Sequence, residues 1–320
     1  MGARRFRFAV EAPSTDSAGE WITSVRRAED LGYSAINLGL HIPLGGAGMF
    51  AAMATAAAVT SSLRVTTTVI PNDFYSPAML ALEAGTFDRL SDGRLELGIG
   101  AGWLKPDFDA VGLPFASGAE RLQRLEESLH VVKALLEGDA TAPGRYYPAL
   151  GPLPGARPAQ HPHPPIFVGG GGRRILELAA READIVGLDL KGRTDGRINV
   201  AEIRAARVAE RVDQVRTAAG CRIDDLELHI LCHAVFVSED PEGGARMAAD
   251  YLASFPPTMV VNADLTIEDL LASPHVLVGP VSHIVETLQE RRERFGISYI
   301  CVMKPFLETF APVVAKLAGT

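Results

Sequence analysis

Residues 63–103 confine this chain to very few folds. Arg64 to Ile70 is rich in β-branched residues, as a pleated strand requires, and Pro71-Asn72 stops it. From Pro77 to Leu90, residues Met79, Leu82, Phe87 and Leu90 recur at helical spacing, and Ser91-Asp92-Gly93 ends the segment. Arg94 to Gly100 is a second strand that runs into a glycine-rich loop ending at Trp103. Two strands joined by a helical crossover run parallel, so the polar loops that follow them fall at the same end of one sheet. In the second strand Leu95, Leu97 and Ile99 share one face while Glu96, Gly98 and Gly100 share the other. An apolar outer face with a small or polar inner face suits a barrel strand clad by helices.

The same alternation runs through the chain. Arg5 to Val10 is a first strand with Glu11 at its C-terminal end, Ser17 to Leu31 an amphipathic helix closed by Gly32, and Ser34 to Leu40 a second strand followed by His41. Met49 to Thr60 is an alanine-rich helix, and Ala119 to Leu136 the most strongly periodic helix of the chain. A fifth strand begins at Pro165 and enters Gly169-Gly170-Gly171-Gly172, followed by a helix over 175–181. Strands at 184–188, 226–237 and 298–303 complete eight, with helices at 201–219, 241–253, 280–295 and 304–318. Eight strands alternating with helices predict an α/β fold, a (β/α)8 TIM barrel. We expect one barrel domain over 1–320, with rim insertions near 138–164, 189–200 and 255–279 at the C-terminal ends of the strands. Arg7 and Glu96 then both point into the barrel, and Glu96 is expected to be paired, with Arg7 as its partner, because an unpaired interior charge costs several kcal/mol.

Composition excludes several classes. With 47% hydrophobic and 22% charged residues the chain builds a large core, and a net charge of −8 argues against a nucleic-acid binder. The three cysteines, without Cys-x-x-Cys, indicate neither a disulfide framework nor a zinc site. No apolar run reaches the roughly 18 residues of a membrane span, and the first strand begins too early to leave room for a signal peptide. The expectation is a cytoplasmic protein acting on a small molecule.

The candidate chemistry lies at the strand ends. Gly169 to Gly172 leading into a helix leave backbone N–H groups free for an anion, with Arg173 and Arg174 adding charge, although a bare glycine run also fits a turn. Gly98, Gly100 and Gly102 form Gly-x-Gly-x-Gly, not a dinucleotide fingerprint, and in a barrel they let a planar ring approach. Trp103 either walls a substrate pocket or packs as an ordinary aromatic. His41 is a candidate proton donor, and Glu11 a candidate acid or a rim residue. Asn72 can both donate to and accept from a ring edge, whereas Asp73 caps its loop. His161 and His163 lack a third ligand, so no metal is expected.

Four segments carry a family resemblance: 26–33 (RRAEDLGY), 72–78 (NDFYSPA), 90–103 (LSDGRLELGIGAGW) and 163–170 (HPPIFVGG). Together they resemble the luciferase-like monooxygenase superfamily, and within it the branch of F420-dependent oxidoreductases, with the motifs in family order from about residue 6 to 303. The resemblance implies a (β/α)8 barrel, often a homodimer, holding a flavin or deazaflavin at the C-terminal strand ends, with its phosphate on Gly169–Gly172 and Arg173. It further implies a non-proline cis peptide at the end of the third strand, here Thr68-Val69, against the ring. Relatives commonly carry Asp-His after the second strand, where this chain has Leu40-His41, and Gly where it has Thr66. The implied activity is hydride transfer between coenzyme F420 and a small organic substrate. The alternatives are an FMN-dependent monooxygenase of the same superfamily and a catalytically degenerate barrel that only binds.

Overall fold

The computed structural model describes residues 4–12, 17–46, 48–193, 197–255, 260–261 and 264–320; parts of the expected insertions at 189–200 and 255–279 lie outside them. Eight parallel strands form a closed ring: β1 (Arg7–Glu11), β2 (Ala35–Leu38), β3 (Arg64–Thr67), β4 (Leu95–Gly100), β5 (Ile166–Gly170), β6 (Ile185–Leu188), β7 (Glu227–Cys232) and β8 (Ile297–Met303). Their order in space is β3-β2-β1-β8-β7-β6-β5-β4, and the pairing of Val65 with Leu95 and of Thr66 with Glu96 joins the two ends. The architecture is the (β/α)8 barrel that the alternation predicts.

The helices form where capping and periodicity dictate. In α1 (Ala18–Asp30) the Ser17 side chain accepts the Glu20 N–H, and Trp21, Val25 and Ala28 face inward. In α3 (Pro77–Leu90) Ser76 caps Met79 N–H and proline occupies the first turn. The longest helix, α5 (Gly118–Glu137), buries Leu125, Leu129, Val132 and Leu136 and ends on Gly138 at φ 87°, a conformation that suits glycine. These faces meet Phe8, Val10, Ile36, Val65, Leu95, Leu97 and Ile99 on the outside of the barrel in one large apolar core.

Inside the barrel the residues change character from foot to mouth. At the foot, Glu96 is buried and takes Arg7 at 2.6 Å, Arg64 at 2.7 Å, the Thr66 hydroxyl at 2.8 Å and the Tyr299 hydroxyl at 3.2 Å. The expected Arg7–Glu96 pair is therefore present, with a second arginine beside it. Burial opposes its charge, but the two guanidinium groups outweigh burial and hold the Glu96 carboxyl down at about 2. Above this layer Ala9, Ala35, Phe167, Ile185, Tyr299 and Cys301 pack together. His229 sits edge-on between Phe167 and Tyr299, and burial pushes its imidazole down to about 3, so it is neutral.

Three details depart from the sequence reading. The seventh strand is not continuous over 226–237: it breaks at His233, and Ala234–Val237 leaves the barrel to pair in parallel with Val276–Gly279. That second strand, and the helix α9 (Ile267–Ala272), lie in a stretch that the sequence left irregular. The 138–164 insertion does not sit at the rim alone. Tyr147 reaches Asn72 beyond β3, whereas Gln160 bonds Leu95 C=O and Arg64 at the foot of the barrel.

Candidate active site

At the C-terminal mouth the third strand is interrupted. The Thr68-Val69 peptide is cis, and the chain resumes as Ile70–Pro71 alongside Ile99–Gly100. The turn lifts Thr68 toward β1, where its hydroxyl donates to Glu11 Oε2 at 2.7 Å. Glu11 is 7% exposed. Burial pushes its carboxyl up to about 7, although the Thr68 hydroxyl, nearby His41 and the Gly39 backbone amide all favour the ionised form. Asp189, after β6, adds a like charge. Gly39 lets the Glu11 carboxyl come close, since a Cβ there would lie 2.6 Å from Glu11 Oε1 and displace it.

The glycines of β4 and β5 serve a purpose different from the one expected. A side chain on Gly100 would meet Val69 Cγ2 at 2.5 Å, and one on Gly169 would lie 3.8 Å from Val69 Cγ1. Gly100 seats the Val69 bulge, so it is Val69, not bare strand backbone, that lies over this position, whereas a side chain on Gly169 would first meet the Phe167 ring at 3.0 Å. Gly102, at φ 70°, clears the Phe108 ring. In the 169–172 run, Gly170 accommodates Ile175 and Gly171 lies against the backbone of 189–191. Only Gly172 has open space. It is the N-cap of α6 (Arg173–Glu182), which has no side-chain cap and no acidic residue in its first turn. First-turn N–H groups therefore lack side-chain competition for an anion. Arg173 is exposed and bonds Glu177 along the helix at 2.7 Å.

His41 and Trp103 come together with their rings edge to face at 5.4 Å. Trp103 is half-buried, and Gly192 of the loop after β6 lies against it. His41 also has a partner that sequence reasoning missed. Asp107, buried in the short helix α4 (Lys105–Ala110), takes His41 Nδ1 at 2.9 Å with one oxygen and the Ile42 N–H at 2.8 Å with the other. Leu40 packs against the apolar core.

Asn72 is not exposed at the mouth. It is 1% exposed and its amide nitrogen lies near Tyr147 OH at 3.1 Å and Asp73 Oδ1 at 3.3 Å, which leaves Oδ1 without a protein partner. Asp73 pairs with Arg124 at 3.1 Å. His163 bonds Pro164 C=O, and among the described residues no cluster of three or more His, Cys, Asp or Glu is arranged to hold a metal. No described helix is long and apolar enough to cross a membrane.

Comparison with known proteins agrees with this geometry. The model of the luciferase-like monooxygenase family matches residues 5–297. An FMNH2-dependent dimethylsulfone monooxygenase from Pseudomonas putida is 29% identical over 205 residues, 63% of this chain and 52% of that protein. The chain thus spans about half the length of that curated relative. Among solved structures, the coenzyme F420-dependent tetrahydromethanopterin reductase of Methanopyrus kandleri superposes with a TM-score of 0.72, 18% identity, and 98% and 99% of the two chains covered. A monooxygenase from Streptomyces bottropensis gives 0.70 and 22% identity over 97% and 99%. With the family model spanning nearly every residue of the barrel, the chain belongs to the luciferase-like monooxygenase family.

Proposed function

We propose that this chain is an oxidoreductase that binds coenzyme F420 at the barrel mouth and transfers hydride between it and a small organic substrate. The observation that carries this reading is Glu11. It is a buried carboxyl at the end of β1, hydrogen-bonded to the residue that begins the cis bulge and titrating near 7. Such a group exchanges a proton at neutral pH without leaving its place.

The mouth fits a flavin-type cofactor in two respects. Val69 is seated on Gly100, and α6 presents an uncapped N-terminus beyond Gly172. Thr68 and Val69 would border the ring, with Gly100 making room for Val69 and Gly102 for Phe108, while Gly169 to Gly172 and the first turn from Arg173 would hold the phosphate. The cofactor, when bound, supplies the hydride chemistry. The chain's own residues do the rest: Glu11 and His41 hold and move protons, and Trp103 walls the substrate side. Asn72 contributes at most its free Oδ1, from beneath Tyr147.

A second reading, FMN as cofactor in a monooxygenase, is supported by the FMNH2-dependent relative that shares 29% identity. We further propose a homodimer. Helix α2 (Met49–Val59) has no charged residue and exposes Ala51, Ala54 and Ala58, beside Met79 and Leu90 exposed on α3. A cytoplasmic location accords with three free thiols, Cys221, Cys232 and Cys301.

The test is a parallel titration of cofactor-free protein with F420 and FMN, followed by tryptophan fluorescence. Trp103 lies at the mouth, so quenching is expected on F420 binding and is lost in Trp103→Phe. Tight FMN with weak F420 would select the second reading. Binding of neither would refute both and leave a barrel that has lost turnover.

A further inference from the structure

We propose that Asp107 is the positioning residue of His41, fixing the imidazole as the tautomer that carries its proton on Nδ1 and keeps Nε2 as a proton acceptor. The inference rests on the reading that His41 handles a proton at the mouth. A carboxylate oxygen accepts hydrogen bonds and cannot donate them when ionised. One oxygen of Asp107 accepts the Ile42 N–H at 2.8 Å, and the other lies 2.9 Å from His41 Nδ1, which therefore supplies the hydrogen. The neutral ring is left with its lone pair on Nε2.

The mount is rigid. Asp107 is 3% exposed, and its short helix is nailed down on either side by Leu104 and by Phe108, both buried. The Phe108 ring meets Phe74 and Phe115 edge to face, each at 5.0 Å, and Arg121 stacks on Phe115 at 3.8 Å while bonding Ala101 C=O and Gly102 C=O. Trp103 closes the other side of the His41 ring at 5.4 Å. One carboxylate thus ties the loop after β2 to the loop after β4 and orients the ring between them.

The decisive variant is Asp107→Asn. The Ile42 N–H still requires the side-chain oxygen as acceptor, so the amide NH2 turns toward His41 Nδ1 and can only donate to it. The proton then moves to Nε2, the logic by which an Asp-to-Asn change in a serine-protease triad yields the wrong tautomer. We would label the histidines of the full chain with 15N and assign His41 by its loss in His41→Gln. Its ring nitrogens would then be compared in wild type, Asp107→Asn and Asp107→Glu, with F420 and FMN affinity measured on the same samples.

The expected result is a proton on Nδ1 in wild type, its transfer to Nε2 in Asp107→Asn, recovery in Asp107→Glu, and unchanged cofactor affinity throughout. A wild-type His41 protonated on Nε2, or a tautomer indifferent to Asp107→Asn, overturns the assignment. If Asp107→Asn does not fold, the wild-type spectrum and Asp107→Glu decide. Failure of both cofactors to bind while the tautomer follows Asp107 would refute the functional reading and leave the His41–Asp107 coupling standing, so the two failures are distinguishable.

Discussion

Two buried carboxylates, Glu96 at the foot of the barrel and Glu11 at its mouth, are both largely withdrawn from solvent and are shifted in opposite directions from the ordinary carboxylate value. Glu96 has two arginines, a threonine and a tyrosine around it and is held at about 2. Glu11 has a threonine hydroxyl, a backbone amide and a more distant histidine, and it rises to about 7. Desolvation alone raises both, so the difference is made by full positive charges nearby. In a (β/α)8 barrel the foot serves stability and the mouth serves chemistry. Here the division is set by where the arginines are: Arg7 and Arg64 begin β1 and β3, at the foot, and among the described residues no arginine bonds Glu11 at their far ends.

The largest effect is expected from breaking the foot. Glu96→Gln leaves Arg64 without its carboxylate and Arg7 with Glu227 alone, and removal of one partner of a buried ion pair costs about 3–5 kcal/mol. The midpoint of urea unfolding should fall accordingly at pH 7, while the mouth keeps its cofactor affinity. An unchanged midpoint would mean that the foot cluster is no more than an isoenergetic alternative to apolar packing.

A somewhat smaller effect separates the two carboxylates by pH. For Glu11, the ordinary value of 4.5 rises to about 7 on folding, so between these limits the folded chain holds a proton that the unfolded chain has released. Its contribution is complete below pH 4.5 and declines by about 1.4 kcal/mol per pH unit, roughly 3 kcal/mol in all, as pH rises to 7. Glu96 behaves oppositely, since its contribution is present above 4.5 and is lost as pH falls toward 2. Stability measured against pH should therefore lose its alkaline-side decline in Glu11→Gln and its acid-side decline from this group in Glu96→Gln. A Glu11→Gln curve parallel to wild type from pH 5 to 8 would show that Glu11 is ionised throughout.

Much of this contrast is legible in the sequence, because a strand's period of two is rigid. Once Arg7 to Glu11 and Arg94 to Gly100 are strands, the inward positions of Arg7, Glu11 and Glu96 follow, and with them the Arg7–Glu96 pair. The eight-strand count follows from strand and helix patterns of ordinary length. What the sequence could not reveal depends on contacts between distant loops. Asp107 lies 66 residues from His41, and nothing at position 107 marks it as the histidine's partner until α4 is seated by Phe108. The glycines are legible as glycines, but not the neighbour that each accommodates: Val69 for Gly100, Phe108 for Gly102, the 189–191 backbone for Gly171. The break at His233 was hidden because residues 226–237 keep an unbroken β-rich pattern. The departure of Ala234–Val237 from the barrel is decided by its pairing with Val276–Gly279.

The smallest change sharpens the comparison most directly, because it alters one hydrogen bond and no formal charge. Thr68→Val keeps the shape of the side chain and removes the hydroxyl that donates to Glu11 Oε2 at 2.7 Å. The bond is stronger to the carboxylate than to the neutral acid, so its loss should carry the Glu11 titration upward by about 1 unit while lowering stability at pH 6 by only about 1 kcal/mol. Carbonyl-region infrared difference spectra, with Glu11→Gln to assign the band, would follow the titration, and the decline in stability, still beginning near pH 4.5, should extend to higher pH by the same interval. A Thr68→Val protein that titrates as wild type would assign what control there is to the Gly39 amide and His41. The Thr68 hydroxyl would then matter for placing Glu11 but not for its proton. A shift well beyond 1 unit would instead make this one bond the main counterweight to burial at the mouth, taking the place that two arginines fill at the foot.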